Sequence, residues 1–214
     1  MALDSQLFFE ALLERSPPHI LEHFRLVLVP LFFAFLLAFP LGVFLTRPRY
    51  QRYAGQALAL LNAGQTVPPL AIIAVFLPFL GLGFFPAVFA LTIYALLPIA
   101  RNTIAGISSV PEEVKEAARG MGMTSWEVFT RVELLLSLPV IMAGLKTSAV
   151  LTVGTAVLAS LVGGRGMGAV IFAGINFFRP ELIVAGTLVI GLMAVILERL
   201  LSMVEWLALP RHLR

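Results

Sequence analysis

Five long apolar stretches set the first constraint on this chain: Phe24–Thr46, Gln56–Leu80, Phe84–Ile104, Leu138–Val162 and Leu182–Ala208. A helix needs about 20 mainly apolar residues to cross the hydrocarbon core of a bilayer, and each stretch reaches that length. With 59% hydrophobic and 13% charged residues among 214, the chain has more apolar surface than one soluble core could bury. The sequence therefore predicts an all-α integral membrane protein with about five transmembrane helices in a single domain, 1–214. The fifth stretch is the least clean. Glu198, Arg199 and Glu205 fall in its last third and must reach an interface or a protein partner.

Loop cations orient the spans. Arg47, Arg49 and Arg52 follow the first, Lys115, Arg119 and Arg131 follow the third, and Arg211 and Arg214 lie in the tail. By the positive-inside rule this side is cytoplasmic, which puts the N-terminus outside, the C-terminus inside, and the protein in the plasma or inner membrane. The other face holds Arg15, Arg165 and Arg179 with Asp4, Glu10, Glu14, Glu22 and Glu181. The net charge of +3 comes from scattered basic residues with no patch, which fits lipid headgroups and not nucleic acid. Residues 1–22 carry Asp4 and Glu10 where a signal peptide has cations. They read as an interfacial segment with Leu7, Phe8, Ala11 and Leu12 on its apolar side.

Several chemistries are excluded. There is no cysteine, the sole aspartate is Asp4, and His19, His23 and His212 lie outside the apolar stretches, so neither a metal cluster nor an intramembrane protease site is expected. The first four spans contain no carboxylate to act as a proton relay. Gly163–Gly168, GGRGMG, lacks the Lys-Ser/Thr ending of a P-loop, and as a loose dinucleotide pattern it follows a membrane helix instead of a strand. An external or re-entrant turn suits it better. No catalytic residue, metal or cofactor is expected in this chain, so unless Na⁺ is held by backbone carbonyls alone, energy for uphill transport must enter from another one.

The loop at 105–137 is long for a compact membrane protein. Ser108 or Ser109 can cap a helix, Pro111 suits its first turn, and Glu112 and Glu113 favour its positive end. Val114, Ala117, Ala118 and Met121 share one face, Gly120 and Gly122 can end the helix, and Thr124-x-x-Glu127 is a capping-box pattern. Such a helix could rest on lipid headgroups or dock against protein. The two alanines favour close protein contact, since lipid binding prefers larger side chains.

EAARGMG, Glu116–Gly122, resembles the EAA motif of type I ABC importer permeases. The resemblance implies a coupling helix between spans three and four, with Glu116, Ala117, Ala118, Gly120 and Gly122 meeting a cytoplasmic ATPase subunit that holds ATP and Mg. It also implies a second permease copy, as a homodimer or a similar pair, and an extracytoplasmic solute-binding protein. PLGVFLTR (40–47), NAGQTVPPLA (62–71), LGLGFFPAVFALTIYALLPIARNT (80–103) and LASLVGGRGMGAVIFAGI (158–175) resemble the permeases that import glycine betaine, choline, carnitine and related osmoprotectants. Alternatives are a permease of the same fold for an amino acid, or a channel-like protein. One departure concerns an E-L-P run common in the family. This chain has Glu133-Leu134-Leu135, with Leu138-Pro139 later, which leaves the start of span four open.

Asn62, Gly64, Gln65, Thr66, Pro68 and Pro69 interrupt the second span. They form either a kink or a break lining a wet path, with Gln65, Thr66 and Pro68 as its contacts. Tyr94 is the amphipathic ring well inside a span. Gly144, Ser148, Thr152, Ala156 and Ser160 recur every four residues, a stripe for close helix packing within the subunit or against its mate. Lys146 beside them is expected to snorkel to the cytoplasm or face a vestibule.

Overall fold

A computed structural model describes residues 4–210, and the tail cations Arg211 and Arg214, with His212, lie outside that range. A short helix α1 (Ser5–Glu10) runs through a π-turn (Ala11–Arg15) into α2 (Pro17–Leu45). Then come α3 (Ala54–Thr66), α4 (Pro69–Leu80), α5 (Phe84–Ser108) and α6 (Glu112–Gly120). From Ser125 to Val162 the chain is one helical rod: α7 (Ser125–Glu127), a π-stretch (Val128–Glu133), α8 (Leu134–Thr155) and a 3₁₀ segment (Ala156–Val162). The order ends with α9 (Gly168–Asn176) and α10 (Pro180–Ala208). Among the described residues there is no strand.

Four helical stretches are long and apolar enough to cross a membrane, and α3 with α4, bent by 88°, makes a broken fifth. α5 lies at the centre, packed against α2 and α8, with α10 on the far side of α8. Alanine makes this packing close. Ala34, Ala38, Ala87, Ala95, Ala100, Ala149, Ala156 and Ala185 are all buried in one core. Lipid offers helices no hydrophobic gain on association, so small residues that let backbones approach supply van der Waals contact instead. Gly144 is the sharpest case: a Cβ there would sit 2.6 Å from Asn102 Cβ and 2.7 Å from the Pro98 carbonyl oxygen.

Three expectations need correction. The N-terminal segment packs on protein: Ala11 is fully buried, Phe8 and Leu12 join the main core, and the Asp4 amide donates to Glu181 at the start of α10. The first span begins at Pro17, so His23 is buried inside a helix, its Nε2 3.1 Å from the Val153 carbonyl. Span four begins at Ser125, well before Leu138. The capping box explains that early start, because once Thr124 satisfies the first amides nothing stops the helix before the membrane-length run.

Candidate functional site

α6 is built from local rules. Glu112 pairs with Lys115 at 2.6 Å and with Arg119 at 2.9 Å, one turn and two turns along, and the two cations hold its carboxyl below the usual range. The expected serine cap is absent. Ser109 turns its hydroxyl back to the Gly106 carbonyl, and Pro111 occupies the cap position, so the acidic first turn alone favours the helix start. At the far end Gly122 takes φ +85°, a left-handed conformation that glycine adopts without strain. Thr124 and Glu127 then close the reciprocal capping box, and the Thr124 bonds lower the Glu127 pKa.

The predicted face of α6 divides in two. Ala118 is 2% exposed and seals the helix to the bundle, whereas Val114, Ala117, Met121 and the nearby Trp126 are exposed. Glu116 is exposed as well and makes no ion pair among the described residues. An apolar patch rimmed by charge, on a helix already attached along its other side, is a surface suited to a protein partner.

A buried pair ties this end to the spans. Arg47, just past α2, meets Glu133 of the π-stretch at 2.8 Å and stacks over Phe129. Glu133 is 5% exposed, so the guanidinium supplies the charge that its burial demands. Arg47, Glu133, Glu112, Lys115 and Arg119 together line a cleft of about 250 Å³ between α6 and the bundle.

At the break in the second span, Val67 and Pro68 are extended between α3 and α4. Gln65 donates from Nε2 to the Tyr94 carbonyl at 2.6 Å, which joins α3 to α5, and Thr66 closes on the Ala63 carbonyl. Gln65 and Tyr94 are thus brought together, while Thr66 and Pro68 are exposed. The Tyr94 hydroxyl is buried with no hydrogen-bond partner among the described residues.

Residues 38–205 match the model of the family described as binding-protein-dependent transport system inner membrane component, a range that contains both features. The chain belongs to this family. It is 42% identical over 193 residues to the glycine betaine/carnitine/choline transport system permease protein OpuCB of Bacillus subtilis, covering 90% of this chain and 88% of that one. It is 43% identical over 184 residues to the choline transport system permease protein OpuBB of the same organism, covering 86% and 84%. The osmoprotectant import permease protein OsmY of Salmonella typhimurium is 41% identical over 181 residues, covering 85% and 77%. A solved structure of the MetNI methionine ABC transporter, inward facing, superposes with a TM-score of 0.80 at 20% identity, over 97% of this chain and 100% of that one. That likeness establishes the type I importer permease fold.

In this inner-membrane component the small-residue stripe turns inward. Gly144, Ser148, Thr152 and Ala156 are buried, and Ser148 donates to the Ala95 carbonyl of α5. Ser160 is half-buried beside Gly168, its hydroxyl without a hydrogen-bond partner among the described residues. Lys146 turns to a protein partner. Its Nζ lies 2.7 Å from Glu205 and 3.3 Å from Ser202, both on α10, and Ser202 in turn donates to Glu198. Periodicity missed this pair, although opposite charges stranded in two apolar spans are a usable signal.

Proposed function

We propose that this permease is the membrane subunit of an ATP-binding-cassette importer for a quaternary-amine osmoprotectant such as glycine betaine, choline or carnitine. Two permease copies, or this chain and a similar one, form the path. A cytoplasmic ATPase holding ATP and Mg drives alternating access, and an extracytoplasmic binding protein delivers the solute. The α6 end is cytoplasmic, the N-terminus lies outside, and Glu116, Ala117, Ala118, Gly120 and Gly122 form the coupling surface. Gln65, Thr66, Pro68 and Tyr94 belong to the path.

The observation that carries the solute class is identity of about 40% to permeases named for these solutes, over nearly the full length. The exposed apolar side of α6 supports the coupling role. Likeness to amino-acid transporters is at 20% identity or less and bears on fold alone.

The test is ATP-driven uptake in proteoliposomes holding the complete importer. Glu116→Lys, or Gly122→Val at φ +85°, should abolish coupled uptake while the subunit remains folded in the membrane. Normal uptake by both variants rules out the coupling role. Uptake of an amino acid and of no quaternary amine rules out the solute class.

A further inference from the structure

The end of the molecule opposite α6 holds a second place where polar groups converge. A cavity of about 350 Å³ opens between α1 and the α9–α10 turn, lined by Leu7, Glu10, Arg15, Phe177, Arg179 and Glu181. That volume is at the small end of the roughly 300–1,000 Å³ range of small-molecule sites.

Four charged groups face this space, and two of them cancel. Arg15 donates from Nε at 3.0 Å and Nη2 at 2.7 Å to the Glu10 carboxylate, so that pair is spoken for. The remaining two have no ion pair among the described residues. Glu181 is 7% exposed; its Oε1 accepts from the Asp4 amide at 3.2 Å, but its buried Oε2 has no hydrogen-bond partner among the described residues. Arg179 forms no side-chain hydrogen bond or ion pair among the described residues. A carboxylate this buried is costly unless a positive charge lies near it, and a cation in the cavity acts on it through charge and not through a hydrogen bond. Phe177, lining the same cavity, adds a ring face of the kind that attracts quaternary ammonium groups. Phe178 beside it takes φ +53°, the one positive φ outside glycine among the described residues, and this sharp turn links Phe177 to Arg179.

We infer that this cavity is a binding site for a small zwitterion, its quaternary ammonium against Glu181 and Phe177 and its carboxylate against Arg179. One free cation and one free anion in a common cavity match a ligand bearing both charges better than a simple cation. The inference rests on the proposed solute class and adds to it a permease site on the outer face, apart from the broken span.

The test uses the full-length permease in nanodiscs, with radiolabelled glycine betaine and choline as probes. Wild type should bind glycine betaine saturably. Glu181→Gln should weaken both probes about tenfold, the scale of losing one charged contact. Arg179→Gln should weaken glycine betaine about tenfold and leave choline, which lacks the carboxylate, within about twofold. Phe177→Ala, at a side chain 73% exposed, should weaken both about threefold while Phe177→Tyr retains binding. No saturable binding, or binding indifferent to all three losses, overturns the site. The complete importer separates this from the solute class: quaternary-amine uptake by wild type with insensitive nanodisc binding removes the site alone, and absence of that uptake removes the class.

Discussion

The two ends of the helix bundle treat charge in opposite ways. Among the described residues, the buried and half-buried charges at the α6 end sit in ion pairs: Arg47 with Glu133, Lys115 with Glu112, Lys146 with Glu205. At the other end, among the described residues, neither Glu181 nor Arg179 has an ion pair, and His23 Nδ1 has no hydrogen-bond partner. Paired charges resist displacement, because separating them leaves an uncompensated ion in low dielectric. An end built this way holds α2 to the π-stretch and α8 to α10 without giving locally. Unpartnered groups do the reverse: they cost stability and gain it back only when something binds.

The largest effect should come from Arg47. Arg47→Met strands the Glu133 carboxylate, and because the guanidinium is 36% exposed and screened, the expected loss is about 2 to 3 kcal/mol. Thermal unfolding in detergent reads it, and Glu133→Leu added to Arg47→Met should recover part. Arg179→Met at the opposite end should shift stability by no more than about 0.5 kcal/mol. Equal losses at the two ends would break the comparison.

A middle-sized effect is expected between α8 and α10. Lys146→Met removes the partner of Glu205, which is 17% exposed at its side chain, for about 1 to 2 kcal/mol. The exchange Lys146→Glu with Glu205→Lys should restore most of it in the same assay. If the exchange is as poor as the single variant, the pair is not what holds these helices.

The smallest effect concerns pH. Glu112 has its pKa lowered by Lys115 and Arg119, so its support of α6 is complete above the ordinary value of 4.5 and is lost as pH falls through the lowered one. Glu127 follows the same sign through its Thr124 bonds. Amide exchange, corrected for its intrinsic pH dependence, should therefore quicken in α6 and at the capping box on acidification. Exchange in α5 should stay unchanged across that window.

Much of the α6 surface was legible in the sequence. The capping box, the turn at Gly122 and the acidic first turn all depend on neighbours within a few residues, and local chemistry fixes them. The serine cap failed because Ser109 had a competing acceptor, the Gly106 carbonyl of a helix that ran longer than hydropathy suggested. At the second span the polar and proline residues announced an interruption, but not its 88° angle nor the Gln65 bond to Tyr94. Small residues every four positions announced a packing stripe, and did not say that α5 would be its partner.

The sequence by itself determined the apolar stretches that become spans and the local turns of α6, because each depends on what a residue is and on its near neighbours. Only the tertiary structure decided which charges meet. Arg47 finds Glu133 and Lys146 finds Glu205 through helix placement, and Glu181 and Arg179 are left over for the same reason. Hydrophobic patterning records that a side chain must avoid lipid; the packing of whole helices determines what it meets instead.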